Sequence, residues 1–227
     1  MRPRVVLVTD PAYPDDVVDR AIRDAARAIE PGGFAVQLRA RGAAPAAFAA
    51  RAKELRALTR GEGALLVVNG DSRLARDVGA DGVHLGGAWS VHPARAVVGA
   101  GAWISVAAHD DGDVARAAAE GADAALVSPI FATPGEGKGA PRGVSALARA
   151  AELARRAVAS SAGVADERAA PRRAPLAVIA LGGVTEHNAA SCRDAGATGV
   201  ALIRGLLASG RPGDVARAID CAFAALW

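Results

Sequence analysis

Eight short apolar runs recur along the chain, and their spacing constrains the fold more than any other feature. Most of them are continuously apolar, as expected for parallel strands that are covered on both faces. The runs are VVLVT (5–9), FAVQL (34–38), ALLVV (64–68), GVHL (82–85), WISVA (103–107), AALVS (124–128), LAVIA (176–180) and GVALI (199–203). The stretches between them are rich in Ala, Arg and Glu with helical spacing, as at 15–30, 44–60, 111–122 and 144–159. A strand followed by a helix eight times predicts an α/β fold, a (β/α)8 TIM barrel that forms a single domain over 1–227.

Three stretches need separate interpretation. His92 and Pro93 interrupt the segment after the fourth run, which makes it the weakest helix. The segment 160–175 is polar and charged, contains proline, and falls between the sixth helix and the seventh strand. This composition predicts a flexible surface insertion on the N-terminal face of the barrel. The final stretch, 213–227, is typical of a closing amphipathic helix.

Composition argues against several classes of partner. The chain of 227 residues has a net charge of +3 and 4% aromatic residues, and its basic residues are scattered through helical segments. This pattern predicts no binding to nucleic acid. No segment approaches the roughly 20 apolar residues of a membrane span, and the N-terminal apolar run is too short for a signal peptide. Cys192 and Cys221 lack metal-ligand spacing, as is typical of free thiols in a reducing compartment, so we expect a cytoplasmic protein that binds no membrane.

The chemistry of such a barrel sits at the C-terminal ends of its strands, which gives a short set of candidates. The substrate-binding candidates are Gln37, Arg39, Arg41, Asn69, Arg142, Gly182, Gly183, Arg204 and Gly205, and the catalytic candidates are His84, His109, Thr133 and Lys138. Gln37, Arg39 and Arg41 project to one side of the second strand by the period of two. Three inward polar groups are costly in a core and useful in a pocket. A surface salt-bridge cluster is the alternative interpretation.

The ends of the seventh and eighth strands predict a phosphate site. Gly182 and Gly183 follow the seventh strand, where Thr185 is expected to cap a helix, and Arg204 and Gly205 begin a short helix after the eighth. Glycine lets backbone N–H groups approach an anion closely, and helix N-termini favour negative charge. Phosphate sites recur at this place in the fold. The alternative is that the glycines serve only tight turns.

The stretch VSPIFATPGEGKGAPRGV (127–144) turns from a strand into a glycine-rich loop. It contains Thr133, Arg142 and Lys138, which is one of only two lysines in the chain. We expect this loop to close over an anionic ligand, with Lys138 supplying positive charge. A flexible surface connection is the alternative.

Three further residues each allow two interpretations. Asp71 follows the third strand and most simply caps a helix, and it is only a weak candidate for a metal ligand. His84 is either an inward histidine satisfied by the core or a ligand contact. His109 belongs either to loop structure or to the functional site.

Taken in order, these motifs resemble the thiamine-phosphate synthase/TenI family. The matching elements are VTD (8–10), QLR (37–39), GADGVHLG (79–86), PIFATP (129–134), IALGGVTEHNA (179–189) and AGATGVALI (195–203). The resemblance spans nearly the whole chain and implies a (β/α)8 barrel, commonly a homodimer, that binds a thiazole phosphate in thiamine biosynthesis. Synthase members also bind the diphosphate of an aminopyrimidine alcohol with Mg²⁺ and join the two rings, releasing pyrophosphate.

The resemblance also implies roles for single residues. Gln37 and Arg39 match residues that line the pyrimidine diphosphate site, and Asn69 matches a pyrophosphate contact. Thr133 lies in the loop that contacts both substrates, and Gly183 matches a phosphate-binding glycine.

The sequence departs from the synthase pattern at both positions expected to carry Mg²⁺ carboxylates. Gly70 follows Asn69 directly, and Ala88 and Trp89 stand where acidic residues are expected. Asp71 substitutes for them only if the start of the helix shifts. We therefore assign no metal ligand. Mg²⁺ is expected as a cofactor only if the protein is a synthase, because a diphosphate leaving group needs its charge neutralised.

Other segments are closer to TenI-type members, which act as thiazole tautomerases. These segments are NG (69–70), GGAWS (86–90) and RGVS (142–145). The histidine that such tautomerases place in the motif of the sixth strand is Pro129 here, so His84 or His109 would have to transfer the proton. The function expected first is TenI-like, on thiazole carboxylate phosphate. The alternatives are a thiamine-phosphate synthase and a non-catalytic regulator that binds thiazole phosphate.

Overall fold

The computed structural model describes residues 2–133, 139–162 and 174–224. Eight parallel strands form a closed barrel in chain order, and β1 pairs with β8 to close it. The strands are β1 (Val5–Val8), β2 (Phe34–Leu38), β3 (Leu65–Asn69), β4 (Gly82–Leu85), β5 (Trp103–Ala108), β6 (Ala124–Val127), β7 (Ala177–Leu181) and β8 (Gly199–Leu202). The predicted (β/α)8 barrel is confirmed, and each apolar run supplies one strand within one residue of its expected ends.

Nine helices accompany the strands in the described ranges. They are α1 (Asp15–Arg27), α2 (Pro45–Gly61), α3 (Ser72–Asp77), α4 (Val91–Val98), α5 (Asp111–Glu120), α6 (Val144–Ala162), α7 (Ala189–Asp194), α8 (Arg204–Leu207) and α9 (Pro212–Ala224). Pro93 falls in the first turn of α4, where a backbone N–H has no intrahelical acceptor. The proline therefore does not interrupt this helix.

The predicted insertion at 160–175 begins later than expected. α6 continues to Ala162, because Val144–Ala162 contains no glycine or proline. Its predicted flexibility concerns mainly residues 163–173, which lie outside the described residues, as does the end of the closing helix at 225–227.

Two expectations from composition can be compared with the structure. Within the described ranges, no helix combines the length and the apolarity needed to cross a membrane. Cys192 is buried and Cys221 is exposed, and both are free thiols. Burial raises the pKa of the Cys192 thiol to about 11, which keeps it protonated and unreactive at neutral pH.

Side chains on each strand alternate between the barrel interior and the layer under the helices. The apolar interior positions are Val6, Val8, Ala35, Val67, Trp103, Ala124, Leu126, Ala177, Ile179 and Ala201. By the same alternation, Gln37 points to the side of Ala35, and Ser105 to the side of Trp103. The interior therefore turns from apolar to polar toward the C-terminal ends of the strands.

Two aspartates tie helices to the N-terminal ends of neighbouring strands, and we call Asp81 and Asp123 the strand-entry aspartates. Asp81 Oδ2 accepts hydrogen bonds from the Leu66 amide (2.8 Å) and from Arg56 Nη1 (2.6 Å). Asp123 Oδ2 accepts from the Ile104 amide (2.8 Å) and from Arg95 Nη2 (2.6 Å). Each of them is the last residue of a Gly-Ala-Asp tripeptide, so this sequence repeat corresponds to a repeated hydrogen-bonding arrangement.

Candidate active site

A cleft of 1690 Å³ opens at the C-terminal end of the barrel, and residues at or just beyond all eight strand ends line it. This volume exceeds the roughly 300–1,000 Å³ of a typical small-ligand pocket. The predicted residues that line it are Gln37, Arg39, Arg41, Asn69, Asp71, His84, His109, Thr133, Arg142, Gly182, Gly183, Arg204 and Gly205. Lys138 is the one candidate that lies outside the described residues.

Gln37 is the most enclosed polar side chain of β2. It is 3% exposed, and its amide makes no hydrogen bond to the described residues although it lines the cleft. The amide atoms are accessible from the cleft. Gln37 is therefore placed to exchange hydrogen bonds with a ligand that has both a donor and an acceptor.

Arg39 and Arg41 extend the same line of residues past the end of β2. Neither guanidinium forms an ion pair with a described residue, so a surface salt-bridge cluster does not describe them. The pKa of Arg39 is lowered, first by burial and then by the positive charge of Arg41, with Asp10 acting in the opposite direction. Two neighbouring cations that face one cleft favour an anion between them.

His84 combines both interpretations that the sequence allows, because it is held by the core and also lines the cleft. Its Nδ1 atom lies 2.9 Å from Ser105 Oγ, and β4 and β5 place these two residues directly opposite each other. Burial, followed by the charges of Arg39 and His109, lowers the pKa of His84 to about 4. The imidazole is therefore neutral at physiological pH.

His109 lies at the rim of the cleft and is exposed. Its backbone N–H donates to Asp113 Oδ2 (2.9 Å), which fixes the turn that leads into α5. Its ring Nδ1 lies 3.4 Å from the carbonyl oxygen of Ser128. His109 thus belongs to the loop structure and also faces the cleft.

Asn69 and Asp71 flank the end of β3 in different ways. Asn69 is the last residue of the strand, opposite His84, and its side chain has no hydrogen bond to the described residues. Asp71 is the N-cap of α3, and its Oδ1 accepts from the Leu74 amide at 2.8 Å. α3 thus begins where it was expected to begin if Asp71 acts as a helix cap.

The described residues do not fit the Mg²⁺ site that the resemblance implies. They contain no group of three or more His, Cys, Asp or Glu side chains that could hold a metal ion. Gly70 offers no side chain, and Trp89 is 6% exposed with its Nε1–H donating to the Ala107 carbonyl (2.9 Å). The Arg116 guanidinium lies 3.7 Å from the centre of the Trp89 ring, so a packed indole stands where an acid was expected.

The glycines after β7 serve the fold and also leave donors free. Gly182 (φ +96°) and Gly183 (φ +64°) lie against the loop after β6, and a Cβ on Gly183 would be 2.6 Å from the Ala132 carbonyl oxygen. The amides of Gly183 and Val184 donate to none of the described residues. Both the tight-turn and the phosphate interpretations are therefore compatible with this geometry.

The helix after these glycines begins later than predicted. Thr185 is not its N-cap, because Asn188 Oδ1 accepts from the Thr185 amide (2.8 Å) and forms a turn first. α7 then begins at Ala189 with Asn188 as its N-cap. The start of α8 at Arg204 agrees with the prediction, and Gly205 in its first turn lies close to Leu202 and Val184.

The loop after β6 contributes two described candidates. Thr133 lines the cleft and donates through Oγ1 to the Phe131 carbonyl at 3.3 Å. Arg142 Nη2 donates to Asp111 Oδ1 at 3.2 Å, whereas its Nη1 is buried without a partner among the described residues. One guanidinium nitrogen of Arg142 is thus paired with α5, and the other is not.

Two residues of the site were not anticipated from the sequence, one that contacts a cleft residue and one that lines the cleft itself. Ser105 is the partner of His84, and the alternation of WISVA would have placed it inward had the pairing of β4 and β5 been considered. Arg73 is the second residue of α3 and lines the cleft. The predicted cap at Asp71 would have located it at the same strand end.

Comparison with known proteins supports the motif resemblance. A family model described as thiamine monophosphate synthase matches residues 5–206. The thiamine-phosphate synthase of Bordetella pertussis is 37% identical over 212 residues, covering 92% of this chain and 90% of that protein. A putative thiamine-phosphate synthase of Geobacter sulfurreducens is 34% identical over 194 residues, covering 85% and 82%. A thiamine phosphate pyrophosphorylase from Pyrococcus furiosus shares the fold, with a TM-score of 0.75 at 22% identity over 98% of this chain and 96% of that one. The chain therefore belongs to the thiamine monophosphate synthase family.

Proposed function

We propose that this protein is a thiamine-phosphate synthase. The nitrogen of a thiazole phosphate forms a bond to the methylene carbon of an aminopyrimidine diphosphate. The bond from that carbon to the diphosphate oxygen breaks, and its electron pair leaves with pyrophosphate. The names of relatives above 30% identity support this activity better than the tautomerase that the motifs favoured first.

Gln37 is the observation that carries the proposal. Its amide lines the cleft and has no partner among the described residues, so it suits the adjacent acceptor and donor of an aminopyrimidine ring. Arg39 and Arg41 lie beyond it along the same strand and receive the diphosphate. The free amides of Gly183 and Val184 receive the thiazole phosphate, with Arg204 nearby on α8.

A synthase of this family implies Mg²⁺ as a cofactor, but the described residues do not supply the expected ligands. Asp71 is used as a helix cap, and Trp89 is packed in the core. We therefore assign no step of the reaction to a metal ion. We also propose a cytoplasmic homodimer, which agrees with the expectations from the sequence.

The test is formation of thiamine phosphate by the purified protein from the pyrimidine diphosphate and the thiazole phosphate in the presence of Mg²⁺. Gln37→Leu keeps the volume and removes the amide, so we expect kcat/KM to fall about a hundredfold or more. Thr59→Val is the matched control, because Thr59 is a fully buried polar residue of α2 outside the cleft. An absence of product from the wild-type protein would reject the proposal.

A tautomerase is the second candidate, because the neutral His84 and the nearby His109 both line the cleft. A neutral imidazole can accept and return a proton. The same protein should then isomerise thiazole carboxylate phosphate without a second substrate. Loss of this rate in His84→Ala or His109→Ala would identify the base, whereas an unchanged rate in both would remove this mechanism.

A further inference from the structure

The cleft carries more positive charge than its carboxylates balance. Five arginines line it, namely Arg39, Arg41, Arg73, Arg142 and Arg204, against three aspartates, namely Asp10, Asp71 and Asp77. Each of these carboxylates already accepts a hydrogen bond from the chain. The donors are the Ala12 amide (3.0 Å), the Leu74 amide (2.8 Å) and the Arg76 guanidinium (2.8 Å), respectively.

Three of these arginines have no partner within the described ranges. Arg39, Arg41 and Arg73 form neither an ion pair nor a side-chain hydrogen bond to a described residue. Burial and, after it, the charge of Arg41 lower the pKa of Arg39. Two neighbouring guanidinium groups repel each other, and an anion bound between them would relieve that repulsion.

Arg73 comes from a different element than the other two. It is the second residue of α3, which begins directly after Asp71 at the end of β3. The same strand end carries Gly70, where a synthase of the family pattern is expected to have an acid. Position 70 thus lacks the expected acid, and Arg73 nearby is a cation without a partner among the described residues.

We infer that Arg73, together with Arg39 and Arg41, neutralises the diphosphate group directly, so that this protein binds a diphosphate without a divalent cation. The identity of the substrate rests on the proposed function. Guanidinium groups donate paired, charge-assisted hydrogen bonds to phosphate oxygens. They can stabilise the charge that develops as the carbon–oxygen bond breaks, and they keep their protons throughout.

Calorimetric titration of inorganic pyrophosphate into the purified protein in EDTA tests this inference. We expect saturable binding, and we expect Arg73→Gln to raise Kd about tenfold or more. Arg60→Gln is the matched control, because it removes the same charge from an exposed, unpaired position outside the cleft, and Kd should change by less than about twofold. Binding that appears only when Mg²⁺ is added would overturn the inference, as would an unchanged Kd in Arg73→Gln.

Turnover in EDTA separates this inference from the proposed function. Thiamine phosphate formation that continues in EDTA agrees with both. Formation that stops in EDTA and returns with Mg²⁺ keeps the synthase and overturns the direct neutralisation by arginine. If pyrophosphate binds in EDTA but no thiamine phosphate forms either in EDTA or with Mg²⁺, the cation-independent site is supported and the synthase proposal is rejected.

Discussion

His84 lies on the floor of the cleft, where the barrel encloses it and Ser105 holds its Nδ1. Burial lowers its folded-state pKa to about 4, against 6.5 for the free side chain. Between these pH values the unfolded chain binds a proton at His84 and the folded protein does not, so the free energy of unfolding falls as pH decreases. The loss from this group is about 3 kcal/mol once the pH falls below about 4.

Denaturant unfolding of the wild type and of His84→Gln from pH 7 to pH 4 measures this effect. As the pH falls, the free energy of unfolding of the wild type should decrease more than that of His84→Gln, because Gln does not titrate. A stability difference that stays constant from pH 7 to pH 4 would contradict the lowered pKa.

Single residues differ in how far the sequence could predict them. The period of two along QLRAR was enough to place Gln37, Arg39 and Arg41 on one cleft, because it depends on one strand alone. The contact of His84 with Ser105 depends on the register between two strands that are separated by α4. A local pattern does not contain that register, so both interpretations of His84 remained open until the fold was known.

At the scale of elements, the contact between the loop after β6 and the end of β7 depends on Gly183. Gly183→Ala would place a Cβ 2.6 Å from the Ala132 carbonyl and 2.7 Å from Phe131 Cβ at a φ of +64°. We expect this variant to lower the free energy of unfolding through backbone strain at the positive φ, and by about 2 kcal/mol more through the close contacts of the added Cβ. Under the proposed function, binding of thiazole phosphate should also weaken about tenfold, because the displaced loop disturbs the amides of Gly183 and Val184.

Gly42→Ala is the matched control for this contact. Gly42 has a φ of +78°, and a Cβ there would meet no atom within 4 Å. It should show only the backbone strain, about 1–2 kcal/mol. Equal losses in chemical denaturation for the two variants would mean that the close approach at Gly183 contributes nothing.

The start of α3 gives a second prediction at this scale. Asp71→Ala removes the acceptor for the Leu74 amide and should lower the free energy of unfolding by about 1 kcal/mol. Asp71→Asn should retain most of the stability, because an amide oxygen also caps a helix. If Asp71 instead acted as a ligand of Mg²⁺, Asp71→Asn would keep stability but raise the Mg²⁺ concentration needed for half-maximal turnover, which a kinetic titration with Mg²⁺ would reveal.

Element boundaries were predictable where composition changes sharply. The strands were located within one residue, because each apolar run is bounded by polar or glycine residues. The start of α7 was missed because Thr185 and Asn188 are both good caps, and the Asn188 side chain selects the later start by closing a turn on Thr185. Competition between two nearby caps is decided by hydrogen bonds that the sequence alone does not rank.

For the whole molecule, the strand-entry aspartates connect helices on the outside of the barrel to the N-terminal ends of β3 and β5. The cleft lies at the opposite end, so these residues should affect stability and not chemistry. The repeated Gly-Ala-Asp was visible in the sequence, yet its role depends on Arg56 and Arg95, which approach from separate helices. Only the closed barrel brings the members of each group together.

The last prediction concerns whether the barrel unfolds as one unit. Asp81→Ala and Asp123→Ala each remove the acceptor of a strand amide and the carboxylate partner of a partly buried arginine, so each should lower the free energy of unfolding by about 2–3 kcal/mol. Their side chains share no partner, so the double variant should lose the sum within about 0.5 kcal/mol, in a single urea transition with an unchanged m-value. The corresponding Asn variants keep an acceptor for the amide and should lose less. A loss of stability in the double variant that departs from the sum by more than about 1 kcal/mol would contradict this prediction, and so would unfolding in two steps. Either result would show that the parts of the barrel around β3 and β5 open separately.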